Sequence, residues 1–245
     1  SQQKHGFKPY MLVIDKFNCA FMPICKAGSS SLILSLAEEV YDEEYIQIQK
    51  TEHEKRYNGV IRKKMHIDFI KSPCNVEIKE KIKNYFKFAF VKNPWHRMVS
   101  ACLQFRRWID NDAVKDDFKG LHLLKLYDLM NKDYSFENFV HFVKNIERNH
   151  TEYVNQHWRS QVGILQMEAL PNCKTEYDFI GKLESAQEDY SYIADKLKFK
   201  NKFLPNINHP EDYDYKDFYT NTKLIDDVGD YYTRDIEVFK YEFDK

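Results

Sequence analysis

The chain has 245 residues, 43% of them hydrophobic, with 37 Lys and Arg against 38 Asp and Glu. That length and apolar content suit one α/β domain, or a domain with a small lobe. A net charge of −1 excludes a global field for nucleic acid or an anionic membrane, and no apolar run reaches the length of a transmembrane helix.

No signal peptide is visible, and the numbering opens at Ser1. Cys19, Cys25, Cys74, Cys102 and Cys173 lack metal spacing, and their odd count predicts reduced thiols, with Cys19 and Cys25 read as small buried residues. Glycine is scarce, with seven in all, so Gly28 and Gly181 carry more information than usual. Residues 1–9 are polar and read as loose.

Tyr10 to Ile14 reads as a short strand. Cys19 to Leu32 reads as an apolar strand, then a tight turn with Lys26, Gly28 and the hydroxyls of Ser29, Ser30 and Ser31, then a helix from about Ser30 to Tyr41. Strand, small polar loop and helix in that order build an anion site. Amides at a helix N-terminus point outward, the helix dipole favours negative charge, and lysine adds a movable cation. Plain capping by serines is the competing reading. The pattern is not a Walker A loop, because no Gly-Lys-Ser/Thr closes it.

Glu44 to Gln49 alternates and predicts a strand. Thr51 to Lys64 is charged and aperiodic, a loop or a helix. Tyr85 to Val91 is an apolar strand ending at Lys92. Asn93 and Pro94 open a helix to about Trp108, with Trp95, Met98, Val99 and Cys102 as its core face. Ser100 stands inside that helix, where propensity gives no reason for serine. Leu121, Leu124, Leu126 and Leu129 have helix-like spacing. Ser135 caps a helix whose apolar face is Phe136, Phe139, Val140 and Val143. Tyr177 to Gly181 reads as a core strand, Gln187 to Lys198 as a helix, Leu204 to Pro210 as a turn-rich loop, and Asp226 to Tyr241 as one closing helix.

The loop Cys25–Ser31 and the stretch Val91-Lys92-Asn93-Pro94-Trp95-His96-Arg97-Met98-Val99-Ser100-Ala101 together resemble the sulfotransferase family. The closer likeness is to its carbohydrate-type branch, which includes chondroitin and dermatan sulfotransferases and small bacterial members. Gln156 to Gln161, Tyr177 to Glu184 and Asp235 to Phe243 are similar to further segments of that branch, in the same order. Two positions depart from its pattern. Lys92 stands where the family has arginine, keeping the charge without the bidentate fork, and Cys25 stands where the family has proline.

The resemblance implies a P-loop-like, three-layer α/β sandwich with a central, mostly parallel sheet flanked by helices, as a single domain over 1–245. It implies transfer of a sulfuryl group from 3′-phosphoadenosine 5′-phosphosulfate (PAPS) to an acceptor hydroxyl, leaving adenosine 3′,5′-bisphosphate (PAP), with no metal. Lys26, Ala27, Gly28, Ser29, Ser30 and Ser31 hold the 5′ end of the donor, and Lys92 and Ser100 its 3′-phosphate. Lys26 stabilises the leaving phosphate oxygen. His66 is the candidate base, with a surface histidine as the bland alternative; His157 is second, or else a structural residue. Arg106, Arg107 and Arg159 are acceptor contacts, or a solvated face.

The acceptor is a carbohydrate, or else a small metabolite with a hydroxyl or amine. Rival readings are a P-loop nucleotide kinase and a non-catalytic PAP-binding module. The expected location is the cytoplasm, with the Golgi lumen as the alternative if an anchor has been removed, since animal members of the branch are Golgi proteins.

Overall fold

The computed structural model describes residues 10–54, 57–110, 126–149, 155–166, 173–205 and 213–244. Expectations for 1–9, for Leu121 and Leu124, and for Asn206 to Pro210 lie outside them. Two compact units emerge. One draws on Phe7–Lys92 and Gly163–Glu211, the other on Asn93–Val162 and Asp212–Lys245.

The first unit holds the sheet: β1 (Met11–Ile14), β2 (Cys19–Met22), β3 (Ile70–Lys71), β4 (Phe86–Val91) and β5 (Phe179–Lys182), in the order β3-β1-β2-β4-β5. β2, β4 and β5 pair in parallel, β1 is antiparallel to β2, and β3 is antiparallel to β1. Four strands therefore run one way and β1 the other, a mostly parallel sheet. Met11 to Ile14 and Cys19 to Met22 are buried throughout, which is why they read as unbroken apolar runs. Leu12, Ile14, Phe21, Phe88 and Phe90 share a core with Leu32 and Leu36 of α1 (Ser29–Val40), Ile61 and Met65 of α3 (Tyr57–Phe69), and Tyr190 and Ile193 of α8 (Ala186–Leu197).

Several expectations need correction. The alternating stretch Glu44 to Gln49 is helical, within α2 (Glu43–Glu52). Ile46 and Ile48 differ by about 200° around a helix, and only Ile46 is buried while Ile48 is 44% exposed. Glu43 and Glu44 sit in the first turn, where the helix dipole favours them. The strand expected over Tyr177 to Gly181 begins two residues later and lies at the sheet edge, half-buried rather than in the core. The five-thiol expectation also fails: Cys74, just before α4 (Val76–Lys81), is disulfide-bonded to Cys173, with Cα atoms 4.3 Å apart. A sequence separation of 99 hides that pairing from any reading of spacing. Cys19, Cys25 and Cys102 remain thiols.

The second unit is helical in its described parts: α5 (Pro94–Asp110), α6 (Phe136–Asn149), α9 (Thr222–Tyr231) and α10 (Thr233–Phe239), with the short α7 (Gln161–Leu165) at the chain junction. Phe105, Phe139 and Trp158 form its aromatic centre, with ring centroids 5.8 and 5.6 Å apart in sequence along that row. The closing helix is two helices, not one. It starts earlier, where the Asn221 side chain caps the Leu224 amide at 3.0 Å, and breaks at Tyr232, which leaves helical geometry at φ −107° and ψ 23°. Thr233 bonds back to the Gly229 and Asp230 carbonyls at 3.2 and 2.9 Å, competing with the main-chain ladder there.

Candidate active site

Parallel pairing brings two strand ends together. Cys19 lies opposite Phe86 and Met22 opposite Ala89, so the loop after β2 and Lys92 after β4 leave the sheet at the same, carboxyl, edge on neighbouring strands. Open α/β sheets bind ligands at that edge. β5 ends there too, with Lys182 opposite Val91.

The loop turns tightly because two of its residues are left-handed, Lys26 at φ 68° and Gly28 at φ 74°. The Ala27 amide closes the turn on the Ile24 carbonyl at 3.2 Å. Gly28 has a second reason to be glycine: a Cβ there would stand 2.6 Å from the Leu183 side chain, just past β5. The segment after β5 is itself pinned, since Asp189 accepts from the Lys182 amide at 2.6 Å and the Ser185 hydroxyl at 2.9 Å. Helix α1 begins at Ser29 with no side-chain cap from Gly28, so the first-turn amides of Ser29, Ser30 and Ser31 face the loop. Ala27 and Ser31 are buried, Lys26, Ser29 and Ser30 half-buried, and Lys92 is only 7% exposed.

His66 belongs to the same edge, by way of a residue that sequence reasoning missed. Tyr10 directly precedes β1, whose Leu12 lies opposite Phe21 of β2 in antiparallel register, so it stands toward the carboxyl end of β2. Burial pushes its hydroxyl up to about 12, Cys25 of the loop adding to the rise and Arg62 opposing it. The His66 ring, in the last turn of α3, packs on Tyr10 with centroids 5.5 Å apart. Its Nε2 is buried with no hydrogen-bond partner among the described residues. Burial, and then Arg62, hold its pKa below the ordinary histidine value, so the imidazole is neutral at neutral pH and can accept a proton.

The other expected site residues belong to the helical unit. Asn93 caps α5, its Oδ1 accepting from the Trp95 amide at 3.0 Å. Ser100 is buried within that helix. Arg106 donates from Nε to the Tyr134 carbonyl at 2.8 Å and lies over the Tyr134 ring, so part of its guanidinium has a structural task. Arg107 is exposed and Arg159 half-buried. His157 packs edge-on against Trp108, next to Arg107, at 4.7 Å, and its Nδ1 lies 2.6 Å from the Asn155 side-chain oxygen. Among the described residues no group of His, Cys, Asp and Glu gathers to hold a metal.

A sequence model described as the sulfotransferase family matches residues 9–242, nearly the whole chain. The chain belongs to the sulfotransferase family. Among curated relatives, this sulfotransferase is 28% identical over 129 residues to carbohydrate sulfotransferase 14 of Danio rerio, covering 49% of the chain and 32% of the relative. It is 25% identical over 178 residues to carbohydrate sulfotransferase 11 of Rattus norvegicus, covering 68% and 48% respectively. With carbohydrate sulfotransferase 12 of Mus musculus the identity is 28% over 134 residues, 49% of the chain and 30% of the relative. The chain thus spans less than half the length of each of these relatives. No solved structure matches.

The cytoplasmic expectation is corrected by these relatives. They are animal carbohydrate sulfotransferases, the Golgi-resident arm of the branch, rather than bacterial ones. The Cys74–Cys173 disulfide agrees, because such bonds persist in oxidising compartments and are rare in the cytosol. Among the described residues no helix is long and apolar enough to cross a membrane.

Proposed function

We propose that the chain is a PAPS-dependent sulfotransferase acting on a carbohydrate hydroxyl, as a single P-loop-like domain. The observation that carries this reading is the shared carboxyl edge of β2 and β4, which brings the Lys26–Ser31 loop and Lys92 out on adjacent strands. The residues present fit the donor. Two lysines meet its two phosphate ends, first-turn amides of α1 supply an anion site, and the bare Cα of Gly28 lets a ligand approach closely.

The donor supplies the sulfuryl group and a bisphosphate that leaves from it. Lys26 and the amides of Ser29, Ser30 and Ser31 offset the charge that grows on the departing phosphate oxygen, with Ala27 and Gly28 shaping the approach. Ser30 and Ser31 hydroxyls hold the 5′-phosphate. Lys92 holds the 3′-phosphate, and Ser100 takes the same role from the motif it stands in. His66 takes the acceptor's hydroxyl proton on Nε2 as the new S–O bond forms and the phosphate-side S–O bond breaks. Arg106, Arg107 and Arg159 contact the sugar, and His157, on the same turn as Arg159, is the second candidate for the base. The relatives' printed name, carbohydrate sulfotransferase, supports a sugar acceptor.

The test is transfer of labelled sulfate from PAPS to a chondroitin acceptor, beside calorimetric binding of PAP. Lys26→Ala should lower turnover by roughly 10²–10³, the worth of one transition-state contact of ~3–4 kcal/mol. Turnover near that of the parent removes Lys26 from the chemistry. Failure of the parent protein to bind PAP removes the donor assignment altogether.

A further inference from the structure

Arg97 and Asp235 are charged side chains of the helical unit with no exposed surface. Both are directed at one stretch of main chain. Arg97 donates from one terminal nitrogen to the Arg159 carbonyl at 2.8 Å and the Tyr232 hydroxyl at 3.5 Å, and from the other to the Gln156 carbonyl at 3.0 Å. Tyr232 in turn donates its hydroxyl proton to the Trp158 carbonyl at 2.6 Å. Asp235 accepts from the Ser160 hydroxyl at 2.7 Å and from the Gln161 and Val162 amides at 2.8 and 2.9 Å. Three buried side chains from α5, the α9–α10 break and α10 thus hold carbonyls on one side of Ser160 and amides on the other.

Burying a guanidinium and a carboxylate is an expensive way to gain stability. Well-packed apolar residues of similar volume do as well or better. What the charged groups add is directionality: each fixes several main-chain groups at set distances and angles. The residues fixed this way surround His157, whose ring is also held by Asn155 at Nδ1 and by Trp108 at its edge. With Nδ1 as donor to Asn155, these two contacts fix both the tautomer and the orientation of the ring.

We propose that Arg97, Tyr232 and Asp235 are positioning residues that hold the Gln156–Val162 turn so that His157 and Arg159 meet the acceptor in one geometry. This rests on the reading above that the turn faces the sugar. Their effect should fall on the acceptor and spare the donor, because none of the three is assigned to a phosphate.

The experiment uses Tyr232→Phe, which removes one hydroxyl and keeps the ring, with Asp235→Asn and Arg97→Lys as stronger perturbations. Each is made in the parent and in a His157→Ala background. In the parent background, kcat/KM for a chondroitin acceptor should fall roughly ten- to a hundredfold, the scale of a small misplacement of a reacting partner, while calorimetric PAP affinity stays within twofold. In the His157→Ala background the further loss should shrink to the part that Arg159 carries. Independently of activity, the His157 ring resonance, assigned by its disappearance in His157→Ala, should change its titration midpoint in Tyr232→Phe while the other histidines keep theirs. An equal loss in both backgrounds overturns the proposal, as does an unmoved His157 resonance in a folded variant. Should the parent transfer no sulfate, the acceptor reading fails, and the His157 resonance alone decides whether the three residues position the turn.

Discussion

Gly28→Ala puts the geometry of the Lys26–Ser31 loop to a quantitative test. The residue has φ 74°, and a Cβ built on it stands 2.6 Å from one Leu183 terminal carbon, with the other two nearest atoms at 3.8 and 3.9 Å. Two costs add. Holding an L-residue in the left-handed region costs about 1–2 kcal/mol. The collision is with the far end of a flexible side chain, so Leu183 can turn aside for about 1 kcal/mol of off-rotamer strain. The sum of ~2–3 kcal/mol corresponds to a fall of roughly 5–10 °C in Tm for a chain of this size. A double-mutant cycle with Leu183→Ala separates the parts, because only the collision couples the two sites, at about 1 kcal/mol. PAP binding, measured by calorimetry, should weaken as the amides after Gly28 shift. A Gly28→Ala protein within about 0.5 kcal/mol of the parent, the range of an indifferent surface change, and with parental PAP affinity, refutes this account of the loop.

The disulfide closes a sequence separation of 99, for which chain entropy gives ~4–5 kcal/mol and measured losses run roughly 2–5. Cys74→Ser should therefore lower the urea midpoint, and dithiothreitol should do the same to the parent. The unfolded, non-reduced parent should titrate three thiols, those of Cys19, Cys25 and Cys102; five reactive thiols without reductant would disprove the bond. For His66, burial and Arg62 favour the neutral ring. A base must be unprotonated, so activity should persist as pH falls through 6.5 and drop only below that value, with an acid limb that Arg62→Ala moves upward. The same shift makes folding stability decline as pH falls below the unfolded histidine value, since the unfolded state binds the proton first. An acid limb at or above 6.5, or one unaffected by Arg62→Ala, counts against His66 as the base.

The fold was legible wherever a residue's role is set by its near neighbours. Met11–Ile14, Cys19–Met22 and Phe88–Val91 announce themselves as apolar runs because both faces of the sheet are buried there. The helix starting at Phe136 is legible from its cap and from four apolar residues at helical spacing, all of which are buried. The α2 segment misled because two isoleucines two apart suit a strand's period, whereas in the helix only Ile46 is buried. The closing helix misled because its break comes from a threonine bonding backward and a tyrosine held from outside, neither of which alters the apolar period.

The site divides along the same line. Lys26, Gly28 and Lys92 stand out as candidates because their signal is local: a cation or a glycine at a strand end. That these strand ends are neighbours follows only from sheet order, which skips from β2 to β4 in sequence. Tyr10 had no signal beyond opening an apolar run, yet His66 packs on its ring and Cys25 of the loop after β2 influences its hydroxyl. Arg97 did leave a trace, a charge between Trp95 and Met98 on a helix otherwise read as core. An arginine there must find acceptors it cannot supply itself, and most side-chain hydrogen bonds go to backbone or water, so in a dry interior another segment's carbonyls are its usual partners. A buried arginine in a helix can thus mark a chain segment elsewhere whose backbone is being held, and searching for that segment's side chains is a way to find a site from the residue that supports it.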